Sequence, residues 1–219
     1  MAAILCLETA TTNCSVALSI DGEIVAIREA NDSKYSHAEK LHPFIDDVLK
    51  EANFDKDNLN AIAVSKGPGS YTGLRIGVSA AKGLCFALDI PLISTPTLEV
   101  LAHQVQCEDC YIVPLLDARR MEVYSAVFNS EKKEIRTTQA EIVDEDSFRE
   151  FLNEKPTIFL GDGASKFHEI CNHQNAIFKE NLYPSSRDMG ILAEAKYKIS
   201  DIENIAYFEP YYLKEFMMG

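Results

Sequence analysis

The 219-residue sequence predicts an α/β protein of two tandem domains, each a mixed sheet with helices. Three observations carry this. A pattern of apolar strand, acidic residue, small polar turn and apolar strand spans residues 4–18 and returns at 112–127. Each copy is followed by a further strand, a glycine turn and a helix. A hydrophobic content of 47% is enough to fill one large core or two small ones. The boundary is expected near Gln106, giving domains over 1–106 and 107–219, with the tail of the second able to pack back on the first.

Residues 3–8 and 14–20 read as strands around the turn Thr9-Ala10-Thr11-Thr12-Asn13, and Asp21-Gly22 turns the chain into a third strand over 23–29. After the polar stretch 30–35, Ala38, Leu41, Ile45, Val48, Leu49 and Ala52 recur at helical spacing, with Ser36 placed to cap the helix. A buried strand at 62–65 leads through Gly67-Pro68-Gly69 into a second helix over 71–88, and 91–94 is another strand. In the second half, 111–117 and 122–128 form a hairpin around Ala118-Arg119-Arg120, and 135–142 adds a strand. An acidic-capped helix is expected over 144–152, then a strand at 157–160 that turns at Gly161-Asp162-Gly163 into a helix reaching Cys171. Residues 188–199 read as a last helix, and 210–213 as an extended apolar tail.

The 34 acidic residues against 21 basic ones give a net charge of −13, which repels a polyanion and disfavours direct RNA binding. The same charge is compatible with work beside a basic partner, although a solvated acidic surface is its plainer meaning. No run of 18 apolar residues occurs, and no basic stretch precedes the first apolar strand, so a cytoplasmic protein without membrane contact is expected. Six scattered cysteines, mostly in apolar runs, suit buried thiols in a reducing compartment.

The most informative stretch is Gly67-Pro68-Gly69-Ser70-Tyr71-Thr72-Gly73-Leu74-Arg75-Ile76-Gly77. A glycine loop that feeds a helix suits an anion, yet its spacing fits neither a Walker A loop nor the dinucleotide fingerprint. Tyr71 also stands where a nucleophile elbow needs serine. A tight turn, with Ser70 capping a close-packed helix, is the simpler account. Within that helix Gly73, Gly77, Ala80, Ala81, Leu84 and Leu88 recur at spacings of three and four, a smooth stripe that lets its own sheet or another helix approach. His37 lacks a second histidine four residues on, where Leu41 stands, so no helical metal pair forms, and His37 reads as a surface or capping residue. His103, Cys107 and Cys110 offer three zinc ligands without an obvious fourth; free thiols or a disulfide are the simpler readings. Glu8 and Asp117 each end the first strand of a half, and without a phosphate loop their work is to hold the adjacent turn.

These residues together resemble the TsaB (YeaZ) family. The blocks that carry the likeness are Leu7-Glu8-Thr9-Ala10-Thr11, Ser36-His37-Ala38-Glu39 to Leu41, the glycine loop through Gly77, the Pro96-Thr97-Leu98 helix start, and Asp117-Ala118-Arg119 with Glu122-Val123-Tyr124. The resemblance implies a pair of actin-like ATPase (ASKHA, ribonuclease H-like) domains. It implies a non-catalytic subunit that binds and activates the transferase TsaD, with the ATPase TsaE, for threonylcarbamoylation of the tRNA adenosine next to the anticodon. The family interface is a bundle of the first two helices, which here carries His37, Leu41, Ile45, Gly73, Gly77, Ala80, Ala81, Leu84 and Leu88. The same surface is expected to form a homodimer when the partner is missing, and tRNA to be met only through the complex. Gly67, Gly69, Ser70 and Arg75 then form a structural loop, and no catalytic residue, metal or cofactor is expected. Glu8 departs from the family's usual aspartate. The competing reading is a self-sufficient actin-like phosphotransferase or carbamoyl-transfer enzyme, with ATP near Glu8, Asp117 and 161–163. A peptidase has least support, since no nucleophile and base pair is legible.

Overall fold

Strict alternation of side chains gives the first strand two apolar faces: Leu5 and Leu7 enter one core, Ile4 and Cys6 another. The computed structural model describes residues 2–32 and 36–214. In chain order the elements are β1 (Ala3–Glu8), β2 (Asn13–Ile20), β3 (Glu23–Asn31), α1 (His37–Glu51), β4 (Ala61–Gly67), α2 (Tyr71–Leu88), β5 (Leu92–Pro96) and α3 (Thr97–Ala102). They continue with β6 (Tyr111–Asp117), β7 (Glu122–Phe128), β8 (Glu134–Ile142), α4 (Arg149–Glu154), β9 (Thr157–Leu160), α5 (Ala164–His168), β10 (Ala176–Lys179) and α6 (Met189–Lys198).

The chain divides into two units. Residues 2–100 and 184–212 make the first, 101–183 and 213–214 the second. The sequence reading had a single cut after Gln106; here the chain leaves the first unit within α3 and returns to it at Pro184.

In the first unit the sheet order is β3-β2-β1-β4-β5, an antiparallel meander continued by two parallel strands. One face packs Leu5, Leu7, Val16 and Val64 against Leu41, Ile45 and Val48 of α1 and Val78, Ala81 and Cys85 of α2. The opposite face packs Ile4, Cys6, Ala63 and Ile93 against Met189 and Ala193 of α6. Burial of each large aliphatic side chain stabilises by about 1.5–3 kcal/mol. Beyond α6, the Glu203 amide donates to the Leu92 carbonyl on β5 (2.8 Å), and its carboxylate accepts from Ser94 Oγ (2.5 Å).

The second unit repeats the plan. Its order is β10-β9-β6-β7-β8, with β6, β7 and β8 antiparallel and β6, β9 and β10 parallel, so β6, β9 and β10 take the places of β1, β4 and β5. Its core holds Val113, Leu115 and Val127 with the aromatic group Phe148, Phe159 and Phe167, whose ring centroids lie 4.8–5.4 Å apart.

Several boundaries differ from the sequence reading. The helix expected over 144–152 begins at Arg149, because Asp144 Oδ1 accepts from the Asp146 amide (3.0 Å) and Ser147 Oγ (2.9 Å), closing a turn instead. α5 ends at His168 rather than Cys171, which only closes a final turn through its amide to the Phe167 carbonyl (2.9 Å). The sequence reading has no strand at β10, whose four residues are a short stretch that alternates half-buried and exposed. Ser36 does not cap α1; its hydroxyl donates to Asp32 (3.2 Å). Ser70 does cap α2, accepting from the Gly73 amide (3.3 Å). Among the described residues no helix is long and apolar enough to cross a membrane.

Candidate functional site

The glycine loop and the start of α2 close onto the β1–β2 turn. The Ser70 amide donates to the Ala10 carbonyl (2.7 Å), and Thr9 Oγ1 donates to the Gly73 carbonyl (2.8 Å). Only glycine permits this approach: a Cβ on Gly69 would lie 2.4 Å from Ala10 O, one on Gly73 2.1 Å from Thr9 O, and one on Gly77 2.2 Å from Thr9 Oγ1. Gly67, at φ +112°, carries the chain past the tail, where the Tyr211 amide donates to the Lys66 carbonyl (2.6 Å). Arg75 stacks over the Tyr71 ring (4.2 Å) and donates from Nε to the Tyr212 hydroxyl (3.3 Å).

Beneath this seat lies Glu8, fully buried. Its carboxylate accepts from the Ala10 amide (2.7 Å) and from Ser65 Oγ, and burial pushes its pKa up to about 7. Asp117 makes the matching contact in the second unit, accepting from the Arg119 amide (2.6 Å). His37, read as a surface or capping residue, is instead only 1% exposed. Its Nε2 bonds the Thr11 carbonyl (2.8 Å), and burial holds its pKa below the ordinary value. The correction follows from the turn, whose free carbonyl needs a buried donor.

The expected helix stripe is split. Gly73, Gly77 and Ala81 face the unit's own turn and sheet, as do Leu41 and Ile45 of α1, and all five are buried within the chain. Ala80, Leu84 and Leu88 are half-buried at the margin. The outer side of α2 carries Thr72, Ser79, Gly83 and Phe86, all exposed, Phe86 at 85%. Nothing lies within 4 Å of a Cβ built on Gly83. Between this side and Ala38 and His42 of α1 runs a groove of about 740 Å³, floored by Ile76, Ala80 and Leu84. The sequence reading missed Ser79, Gly83 and His42, because in a helix with small residues on several sides the periodicity does not say which side meets the sheet. The signal available was the Thr72, Ile76, Ser79, Gly83 series, parallel to the buried one.

Among the described residues no group of three or more His, Cys, Asp or Glu side chains is placed to hold a metal ion. Cys107 and Cys110 are bonded to each other, and the other four cysteines are free and buried.

Two sheet-and-helix units of repeated topology, with acid-braced turns at matching places and an open helix pair on the first, define a protein of the actin-like ATPase fold. Comparison with known proteins narrows this. The family model for TsaD, tRNA N6-adenosine threonylcarbamoyltransferase, matches residues 30–207. The tRNA threonylcarbamoyladenosine biosynthesis protein TsaB of Bacillus subtilis is 34% identical over 167 residues, covering 74% of this chain and 72% of that one. The Escherichia coli protein of the same name is 29% identical over 222 residues, covering 96% and 94%. The solved structure of YeaZ from Pseudomonas aeruginosa superposes with a TM-score of 0.81 at 25% identity, covering 97% of this chain and all of that one. The chain belongs to the TsaB (YeaZ) family.

Proposed function

We propose that this protein serves tRNA threonylcarbamoyladenosine biosynthesis as a non-catalytic subunit in the cytoplasm. It binds and activates a TsaD-type transferase, with the ATPase TsaE, through the groove between α1 and α2. The observation that carries the reading is the open, small-residue outer side of α2, where Ser79 and Gly83 let a second helix approach closely and Phe86 offers an apolar anchor. The same groove, meeting its own copy, gives the homodimer of the isolated chain. A non-catalytic role is supported by the seat of the β1–β2 turn. The Ala10 carbonyl accepts from the Ser70 amide and Thr9 Oγ1 donates to the Gly73 carbonyl, with Gly69 and Gly73 packed against the same turn, so a phosphate there has to displace the start of α2.

Gly77→Arg is unsuited to testing this interface, since even a Cβ at Gly77 collides with Thr9. The experiment is co-purification with the transferase of the same organism, comparing wild type with Gly83→Arg. The variant is expected to fold at least as stably, since arginine replaces glycine in an exposed helix, and to lose the complex at least tenfold. A complex undiminished by Gly83→Arg removes the groove from the interface, and ATP turnover by the isolated chain moves the reading to the enzyme.

A further inference from the structure

In a chain of net charge −13, the turn between β6 and β7 places two arginines side by side. Arg119 and Arg120 are exposed, and among the described residues neither guanidinium forms a hydrogen bond or ion pair. The other five arginines are engaged: Arg28 with Glu51, Arg75 with Tyr71 and Tyr212, Arg136 with Glu141, Arg149 with Asp146 and Arg187 with Glu29. The backbone there is also unusual. Arg119 and Arg120 take φ of +73° and +53°, the left-handed region that asparagine and glycine occupy at least cost.

A network of two aspartates and a lysine holds the turn in that shape. The Asp162 carboxylate accepts from the Asp117 amide (3.0 Å), and burial pushes its pKa upward. Asp117 in turn accepts from the Arg119 amide (2.6 Å) and from Lys166 Nζ (2.7 Å). Glu122, the other carboxylate at the turn, is paired with Lys214. The neighbouring carboxylates are therefore occupied by lysines or by backbone amides, and among the described residues none pairs with either arginine. Two adjacent planar forks on a preorganised, strained and exposed turn are what phosphate oxygens need.

We propose that the Arg119–Arg120 turn is a phosphate contact for RNA, a local cationic point by which this acidic subunit touches the tRNA backbone once its partner has brought the tRNA close. The proposal rests on the reading above for the identity of the RNA. An enclosed nucleotide is the other source of phosphate, but an exposed hairpin tip suits a strand passing over it.

The test replaces the pair by Arg119→Asn with Arg120→Gly, which keeps the turn's preferred backbone and removes both charges, and separately by Arg119→Lys with Arg120→Lys. In the assembled complex, tRNA affinity is measured across salt concentration. The Asn-Gly variant is expected to assemble as wild type does, to melt about 2–4 °C higher from relief of strain, and to bind tRNA about tenfold more weakly. Its salt slope should be smaller by about 0.7–0.9 per lost contact. The double lysine variant should recover most of the affinity. Unchanged affinity and slope in an assembled Asn-Gly complex overturn the proposal.

A second arm does not depend on assembly, so the two readings can fail separately. The 15N-labelled isolated chain is titrated at low salt with a short single-stranded RNA and, separately, with ATP. Shifts at the Arg119–Met121 amides and arginine Nε signals with RNA support the contact, while shifts there with ATP and not with RNA overturn it.

Discussion

Glu8 and His37 brace the same turn from opposite electrostatic directions. Burial raises the Glu8 pKa to about 7 and lowers that of His37. The folded chain thus keeps a proton on Glu8 that the unfolded chain releases near pH 4.5, and stability from this group falls as pH rises from about 4.5 to about 7. The lost stabilisation is on the order of 3 kcal/mol. His37 acts the other way: its neutral form is favoured by folding, so its contribution is lost as pH falls below about 6.5. Glu8→Gln keeps acceptor and donor for Ala10 and Ser65 without a charge. Urea unfolding is expected to show the variant equal to wild type near pH 4.5 and more stable by about 1–3 kcal/mol at pH 8, with only the His37 rise left between. Equal stability at pH 8 would show that Glu8 ionises in the fold without penalty. Glu8 was legible as the brace of its turn from its place at the end of an apolar strand. The burial of His37 was not, because its acceptor, Thr11, lies 26 residues away.

For α2, the same residue type does opposite work on two sides. Gly73→Ala drives a methyl into the Thr9 carbonyl and is expected to cost about 2–4 kcal/mol or prevent folding, while Gly83→Ala, in open space, should stabilise by about 0.5–1 kcal/mol. Denaturant midpoints for the two variants check this; similar effects would mean that the turn does not rest on the helix. The existence and length of α1 and α2 were readable from 3.6-residue periodicity, and α2 matches its expected bounds to the residue. Its orientation was not, since glycine and alanine weigh equally toward sheet and solvent. Short elements fared worse for a related reason. α4 loses its first turn to the Asp144 side chain, and β10, four residues long, is too short to show a period.

At the scale of the molecule, the sheet order of the first unit is completed on its second face by a helix from the far end of the sequence. Without residues 184–198, Ile4, Cys6, Ala63 and Ile93 face water, and the bonds from Asn13 to the Pro184 carbonyl (2.9 Å) and from the Ser186 amide to Ser15 (2.8 Å) are lost. A fragment of residues 1–106 is therefore expected to bind an apolar dye and to unfold without cooperativity. Residues 1–100 joined to 184–212 by a flexible linker should restore a sharp transition. A cooperative 1–106 fragment would show α6 to be dispensable. The repeat of strand order between the units was legible as an echo in the sequence, but the return of the chain was not, because α6 carries a weak apolar pattern of its own and reads simply as a last helix.

The short segment that follows α6 also bears on how the edge of the first sheet meets another chain. β5 has a neighbour on one side alone, and its other rim is a row of amides and carbonyls on which any extended peptide could template. Glu203 takes the Leu92 carbonyl and sets a carboxylate beside Ser94, so an incoming strand must break a hydrogen bond and bury a negative charge to lengthen the sheet. One residue beyond α6 thereby guards the β5 edge of the first sheet against edge-to-edge pairing.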